Sequence, residues 1–190
     1  MRRAPDVGEI GFTPLAMADL PLLRRWLNRP AVAEWWDGAP WSADAVAAKY
    51  APRVRGETPV RCFLIRYGGA PIGYIQAYPV AAYPDEWGDA GVEAGAWGVD
   101  LFIGSDRHRH RGLGAPILRA FARGVVFGAC GAAACVIDPS PRNRVAIRAY
   151  EKAGFRHLRT IPMSGAPDGA YLLRLTPADL AIGAAESESR

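Results

Sequence analysis

The sequence predicts a single domain of the α/β (α+β) class, because strand and helix signals alternate along 190 residues and domains commonly hold roughly 100 to 200 residues. Residues 133–155 have the pattern of a buried strand, a proline-containing turn, a helix of about three turns and a glycine stop. Residues 60–67 and 71–77 are strand candidates around Gly68 and Gly69, and glycine supplies the positive φ of a tight hairpin turn.

The other elements follow from periodicity and from residues that cap or break helices. Asp19 is placed to cap a first helix, Pro30 to break it, and Ser42 to cap a later one. The predicted strands are 10–15, 60–67, 71–77, 96–103, 133–137, 155–162 and 170–175. The predicted helices are 20–28, a short piece carrying 34–37, then 45–50, 113–127 and 142–152.

Two connections and the tail complete this prediction. Residues 78–95, rich in Gly, Asp and Pro, form a long loop, and the last two strands pair antiparallel around a turn at 166–169. Residues 184–190 are small and polar, and 181–190 are expected to be a flexible tail, so the domain spans 1–180. The chain shows no internal repeat and no linker between two cores.

Composition narrows the class of protein. Half of the residues are hydrophobic and 22% are charged, as in ordinary globular proteins. The sequence has no apolar run near the roughly 20 residues that span a bilayer, and no secretory segment, so we expect a cytoplasmic protein without a membrane partner. The cysteines Cys62, Cys130 and Cys135 lack zinc-ligand spacing and are expected to be buried, so no metal is predicted.

The distribution of charge separates two kinds of partner. A net charge of +4 suits nucleic acid, but it equally suits a pocket for a phosphorylated cofactor. Arginines gather at 107–111 and do not form an extended stripe with interleaved aromatics, so no nucleic-acid partner is expected. Acidic residues gather in the 78–95 loop, so we expect one basic and one acidic pocket.

The basic cluster has the chemistry of a phosphate site. In Arg109-x-x-Gly112-x-Gly114 the glycines let backbone approach a ligand, and the unpaired N–H groups of a helix start favour phosphate. Ile117 stands where a dinucleotide fingerprint needs glycine, and no Gly-Lys-Ser/Thr closes a Walker loop. An ordinary glycine turn with solvated arginines is the alternative. His108 and His110 are expected to be exposed beside the arginines rather than to bind metal.

Taken together, these segments resemble the GNAT superfamily of N-acetyltransferases, and more closely the aminoglycoside 6'-N-acetyltransferases. The acetyl-coenzyme A pyrophosphate loop of the superfamily matches Arg109-x-x-Gly112-x-Gly114. The resemblance covers most of the chain, and Tyr150-Glu151-Lys152-Ala153-Gly154-Phe155 is its most specific segment. The other matching segments are 26–29, 34–36, 71–78, 98–100 and 138–141.

The resemblance implies a fold, a reaction and a co-substrate. The fold is a single GNAT-like domain with a mixed, mostly antiparallel sheet, splayed middle strands and helices on both faces. The reaction is direct transfer of acetyl from acetyl-coenzyme A to an aminoglycoside amine, which confers antibiotic resistance. The coenzyme-binding residues that it implies are Leu101, Phe102, Ile103, Arg109, His110, Arg111, Gly112, Leu113, Gly114, Ala115, Asn143, Ala146 and Tyr150.

Two of the matching residues are implied to be catalytic. Asp100 looks like the carboxylate that faces the acceptor amine, where it either binds the ammonium or accepts its proton. Tyr150 resembles the tyrosine beside the coenzyme sulfur. A phenol of pKa about 10 and a thiol of about 8.5 make full proton transfer unfavourable by roughly 2 kcal/mol, so a hydrogen bond is predicted, with late protonation as an option.

The acceptor pocket is implied by further matches. They are Trp35, Trp36, Asp37, Tyr78, Glu86, Trp87, Asp100, Asp138 and Asp168. Asp138 also suits a local turn, and one of the two neighbouring tryptophans is expected to serve helix packing. The 78–95 loop matches poorly, with a single tryptophan where these enzymes often have paired aromatics, and its acids could instead be solvated.

Other functions stay open at this point. The same fold and donor could serve another small amine, such as a hydroxylated lysine in siderophore assembly. A non-catalytic acyl-coenzyme A sensor or a basic nucleic-acid binder is a candidate of a different class. A monomer and a homodimer are both compatible with the sequence.

Overall fold

The computed structural model describes residues 7–36, 40–87, 90–163 and 166–181. The strands are β1 Ile10–Pro14, β2 Arg61–Tyr67, β3 Ala70–Pro79, β4 Ala96–Ile103, β5 Ala134–Ile137, β6 Arg156–Met163 and β7 Ala166–Leu175. The helices are α1 Leu20–Leu27, α2 Pro30–Ala33, α3 Ala43–Val54, α4 Pro84–Trp87, α5 Gly114–Phe121, α6 Arg144–Ala153 and α7 177–181.

Within the described ranges the strands form one seven-stranded sheet of order β1-β2-β3-β4-β5-β7-β6. The β4–β5 pair is parallel, whereas β1–β2, β2–β3, β5–β7 and β6–β7 are antiparallel. The predicted α/β class with a mixed, mostly antiparallel sheet is therefore confirmed. The described residues form two compact units, which we call the N-terminal unit (7–78 and 100–111) and the C-terminal unit (79–99 and 112–181).

The N-terminal unit contains the predicted hairpin. Gly68 and Gly69 have φ of +55° and +77°, and the turn that they make joins β2 to β3. Ser42 caps α3 as predicted, since its hydroxyl accepts from the N–H of Ala45 at 3.0 Å. The largest side chains of the core are apolar or aromatic: Leu23, Leu27, Tyr50, Leu64, Ile65, Ile72, Tyr74 and Ile75.

Three predictions for this unit were wrong in detail. Asp19 stands at the N-cap position of α1, but its carboxylate makes no capping hydrogen bond and instead accepts from the N–H of Ala16 at 2.9 Å, within a short 3₁₀ turn. The short helix lies at α2, before the tryptophan pair, because proline is well suited to a first helical position and Pro30 begins a helix there. The helix predicted at 45–50 runs from Ala43 to Val54 and includes Pro52 near its end.

The C-terminal unit contains the strand, turn, helix and glycine stop predicted for 133–155. Asn143 caps α6, and Gly154 ends it in the left-handed region at φ +104°. The pairing of β4 with β5 covers only Ala96–Gly98 against Ala134–Val136, although β4 itself continues to Ile103.

Three features of this unit differ from the prediction. The helix expected at 113–127 is α5 followed by a π-helical segment, Ala122–Ala129, in which the N–H of Cys130 reaches the carbonyl of Val125. The 78–95 loop includes α4. Residues 166–169, expected as a turn, belong to β7, where Gly169 has φ +68° beside a register shift in β6. The segment 164–165 and most of the predicted tail, 182–190, lie outside the described residues.

Candidate functional site

A chain of hydrogen bonds leads to the carboxylate of Asp100 in the N-terminal unit. Asp100 lies on β4 and is half-buried. The side-chain amide of Gln76, on β3, donates from Nε2 to Asp100 Oδ2 at 2.7 Å. Gln76 is only 7% exposed, so the carboxylate is held by a polar group that is itself enclosed in the unit.

The amide oxygen of Gln76 is also held by hydrogen bonds. Its Oε1 atom accepts from Arg53 Nη1 at 2.8 Å and from the hydroxyl of Tyr74 at 2.7 Å. Arg53 lies in the last turn of α3, with its guanidinium 5.2 Å from the ring centroid of Tyr50. A continuous hydrogen-bonded path therefore runs from α3 through Gln76 to Asp100.

Arg53 is the charged group at the α3 end of this path. Burial raises the pKa of Tyr74 well above its ordinary value, with contributions from Cys62 and Tyr50, so its phenol is neutral. Burial likewise raises the pKa of the Cys62 thiol, which lies 2.9 Å from the Tyr74 hydroxyl. Burial lowers the pKa of Arg53, but Tyr74, Cys62 and Tyr50 outweigh this effect and the pKa is raised overall. The guanidinium stays cationic.

Aromatic rings pack beside this path. Trp36 donates from Nε1 to the hydroxyl of Tyr50 at 3.2 Å, and its ring meets Tyr74 and Phe102 edge-on at centroid distances of 5.8 and 5.0 Å. Trp35 is 40% exposed. As expected, one of the two tryptophans serves packing, and it is Trp36. The neighbouring candidate Asp37 lies outside the described residues.

The basic loop after β4 is fixed by contacts inside the N-terminal unit. Arg29 Nη1 donates to the carbonyl of Gly104 at 2.6 Å and to Asp106 Oδ2 at 2.9 Å. Arg109, a predicted phosphate ligand, lies 3.4 Å from Asp106 Oδ1. A Cβ on Gly104 would lie 2.2 Å from the Trp26 ring, so only glycine lets the loop rest on α1. The loop is thus preformed, with Asp106 between two arginines.

The two histidines of this loop differ. His108 was expected to be exposed, but it is half-buried, with Nδ1 2.8 Å from Ser105 Oγ and its ring 5.9 Å from that of Tyr67. His110 is exposed, and its φ of +55° is the one positive value among non-glycine residues in the described part of the chain. Among the described residues, no group of three or more His, Cys, Asp or Glu is placed to hold a metal ion.

In the C-terminal unit the predicted phosphate site is built from main chain. Gly112 has φ +78°, and a Cβ there would meet nothing within 4 Å. Helix α5 begins at Gly114, and a Cβ on this residue would lie 3.1 Å from that of Ala149 on α6. Gly112 therefore shapes the turn and leaves open space beside it, while Gly114 allows α5 and α6 to approach closely.

Helix α6 places Tyr150. The Asn143 side chain accepts from the N–H of Ala146 at 3.2 Å, so these two predicted coenzyme contacts also form the helix cap. Arg119 of α5 donates to the carbonyls of Lys152 and Ala153 at 2.5 and 3.4 Å, at the other end of α6. Tyr150 is 9% exposed, with its ring 6.3 Å from that of Phe155.

The remaining acceptor candidates lie in different environments. Asp138 is half-buried after β5, and Asp168 is exposed on β7. Tyr78 and Trp87 are buried. Glu93, one of the loop acids, is held by Arg174, whose Nε lies 2.8 and 3.0 Å from its two carboxylate oxygens, and this hydrogen bonding lowers the pKa of Glu93. Glu93 is therefore engaged in an ion pair rather than merely solvated. Nothing is described of the Glu86 side chain.

The chain has relatives of known activity. Residues 16–163 match the family model described as the acetyltransferase (GNAT) domain. The chain is 36% identical over 154 residues to aminoglycoside N(6')-acetyltransferase type 1 of Klebsiella pneumoniae, which covers 80% of this chain and 74% of the relative. It is 29% identical over 169 residues to the lysine N-acyltransferase MbtK of Mycobacterium sp. (strain MCS), covering 85% of this chain and 65% of that protein.

Solved structures agree with the sequence matches. The structure of AAC(6')-Ib in complex with ribostamycin and coenzyme A superposes with a TM-score of 0.81 at 31% identity, covering 91% of this chain and 96% of that one. The family resemblance and the fold predicted from the sequence are both confirmed. None of the helices in the described ranges has the length and apolar character needed to cross a bilayer.

Proposed function

Because the chain belongs to the GNAT acetyltransferase family, we propose that it is an aminoglycoside 6'-N-acetyltransferase that moves the acetyl group of acetyl-coenzyme A directly to an amine of the drug. The observation that carries the proposal is the carboxylate of Asp100, held at 2.7 Å by the buried amide of Gln76. A carboxylate fixed in this way suits a polycationic acceptor. The activity of the Klebsiella relative supports the same acceptor.

The turn at Gly112 and the start of α5 support a diphosphate site there. Gly112 leaves open space where a side chain would stand, and the first N–H groups of α5 have no acceptor within the helix. We assign the diphosphate to this turn, with Arg109 and Arg111 contributing positive charge. Acetyl-coenzyme A supplies the acetyl group and the thiolate leaving group. The other coenzyme contacts that the resemblance implied belong to this proposal, with Asn143 acting first as the cap of α6.

In the reaction a bond forms between the acceptor nitrogen and the acetyl carbon, and the carbon–sulfur bond breaks. Asp100 binds the ammonium, because a carboxylate favours the charged form of a nearby amine. It then accepts the proton that leaves the nitrogen, directly or through water, once attack has begun. Tyr150 donates a hydrogen bond to the sulfur as negative charge develops there, and alignment of the reactants supplies roughly 7 to 11 kcal/mol.

The proposal also covers the acceptor pocket, the extent of the domain, the cellular location and the oligomeric state. The acceptor contacts that the resemblance implies, among them Asp138, Asp168 and Trp35, belong to this proposal, and Glu93 of the 78–95 loop is held by Arg174. We propose one domain over 1–180 in a cytoplasmic enzyme that works as a monomer or a homodimer.

A thiol-release assay tests the function. We expect release with kanamycin and with other aminoglycosides that carry a free 6'-amine, no release with analogues that lack this amine, and one added acetyl group by mass spectrometry. Release only with lysine derivatives would instead favour the second candidate, a lysine-type N-acyltransferase, which the 29% identity to the mycobacterial enzyme supports. Coenzyme binding without release from any amine would identify a sensor.

A further inference from the structure

We propose that Gln76 is a positioning residue that orients Asp100 toward the acceptor amine, and that Arg53 sets the direction of the Gln76 amide. The inference rests on the proposed function, because that function assigns Asp100 to the amine. It names two residues, one of them far from any motif, whose replacement should change turnover through Asp100.

The direction of the Gln76 amide follows from its partners. A side-chain amide has one accepting oxygen and one donating nitrogen. Arg53 Nη1, which can only donate, lies 2.8 Å from the oxygen, and the Tyr74 hydroxyl donates to the same oxygen at 2.7 Å. The nitrogen therefore faces Asp100 Oδ2. Rotating the amide by half a turn would place donor against donor at one end and oxygen against carboxylate at the other.

Burial makes this arrangement specific. Gln76 is 7% exposed, so water cannot readily replace a lost partner, and a buried polar group without a partner is costly. Hydrogen bonds in series also polarise one another, so the cation of Arg53 strengthens the donation from Gln76 to Asp100. Arg53 therefore influences the orientation of Asp100 through the amide, which itself stays neutral.

The neutrality of the amide suits the acceptor. A lysine or arginine at position 76 would also hold Asp100, but its positive charge would compete with the incoming ammonium for the carboxylate. Glutamine fixes the position of Oδ2 without bringing a competing positive charge. This is the feature that distinguishes a positioning role from simple packing.

Gln76→Glu removes the donated hydrogen bond. Glutamate has nearly the same size and still accepts from Arg53 and Tyr74, but it offers no N–H to Asp100 and places a second carboxylate against it in a buried position. This repulsion should lower the melting temperature, and kcat with kanamycin should fall about tenfold to hundredfold, the range for a hydrogen bond to a charged group. KM for acetyl-coenzyme A should not change. Gln76→Leu should lower both kcat and stability, since it removes both ends of the path.

A double-mutant cycle with Asp100 gives the decisive readout. If Gln76 acts through Asp100, Gln76→Glu should cause no further loss of kcat in an Asp100→Asn background. Arg53→Met should lower kcat in the same direction by a smaller factor, about threefold to tenfold, because the amide can then rotate.

Full turnover by Gln76→Glu, or additive losses in the cycle, would overturn the inference and leave the proposed function intact. Absence of thiol release in the wild type with any aminoglycoside would overturn the proposed function and the inference with it.

Discussion

The candidate acceptor region and the candidate coenzyme region are built by different means. In the N-terminal unit, Arg53, Gln76 and Asp100 come from three separate elements and are joined by side-chain hydrogen bonds. In the C-terminal unit, the turn at Gly112 and the start of α5 owe their shape to main-chain conformation and close helix packing. The first region depends on particular chemical groups, and the second depends mainly on backbone geometry.

The difference has energetic consequences. Removing one group from the buried path leaves its partners unsatisfied, at a cost of about 1–3 kcal/mol for each. Adding a side chain to the glycine turn leaves all other groups in place, but it forces an L-residue into a conformation that costs roughly 1–2 kcal/mol. Substitutions in the acceptor region should therefore change the rate of the reaction, and those in the coenzyme turn should change the affinity for the donor.

The largest effect is expected from Asp100→Asn. An amide carries no negative charge for the ammonium and accepts no proton, so kcat/KM for kanamycin should fall by roughly 10²- to 10⁴-fold, the range for a general base. Steady-state thiol release measures it. Asp44→Asn, an exposed acid in the first turn of α3, is the control and should match the wild type. A loss below threefold would remove Asp100 from the chemistry and with it the proposed contrast between the regions.

Tyr150→Phe should have the next largest effect. Loss of a hydrogen bond to a developing thiolate should lower kcat about tenfold to hundredfold with little change in KM for acetyl-coenzyme A. Single-turnover measurements isolate the chemical step. Tyr171→Phe is the matched control, since this tyrosine stacks on His157 at 4.0 Å in the same unit. Full turnover by Tyr150→Phe, under conditions in which chemistry limits the rate, would leave Tyr150 as a core residue of α6.

The same contrast decides what the sequence could predict. The coenzyme turn, the Asn143 cap and the Gly154 stop are local, because each is specified within a few neighbouring residues. The acceptor path joins residues 23 and 24 positions apart in the chain, so no short pattern reveals it. Gln76 was part of a matching segment without a role of its own, and Arg53 carried no sequence signal at all.

The errors in the predicted secondary structure also have physical causes. The Asp19 carboxylate accepts from the N–H of Ala16 rather than from an N–H of α1. The 166–169 segment has the composition of a turn, yet Gly169 uses its positive φ within a strand, where a Cβ would lie 2.4 Å from the carbonyl of Ile161. A competing local contact at Asp19, and a tertiary contact at Gly169, selected one of two conformations that the sequence allows.

Gly112→Ala tests the backbone region directly. Its φ of +78° is strained for alanine, and we expect a loss of about 1–2 kcal/mol in stability and up to about a tenfold increase in KM for acetyl-coenzyme A. Gly56→Ala is a close match, because Gly56 has φ +73° and a Cβ there also meets nothing within 4 Å. It should lose similar stability without changing KM. Equal KM values for the two variants would contradict a donor site at Gly112.

The smallest effect is expected from the ion pair of Glu93 with Arg174. Both side chains are about one third exposed, at 33% and 36%, and solvent screening limits such pairs to about 1 kcal/mol or less. Hydrogen bonding to Arg174 lowers the pKa of Glu93 in the folded protein. The stabilisation is therefore complete above the ordinary glutamate pKa of about 4.3 and is lost as the pH falls through the lower folded-state value.

Urea unfolding at several pH values tests this with Glu93→Gln. The variant should be less stable than the wild type by up to about 1 kcal/mol at pH 7, and the gap should close in acid, where Glu93 of the wild type is protonated too. Glu151→Gln, an exposed carboxylate on α6, should show no such gap. The ion pair is charged and bidentate but open to solvent. If Glu93→Gln lost as much stability as Gln76→Leu, burial would not explain the strength of the acceptor path.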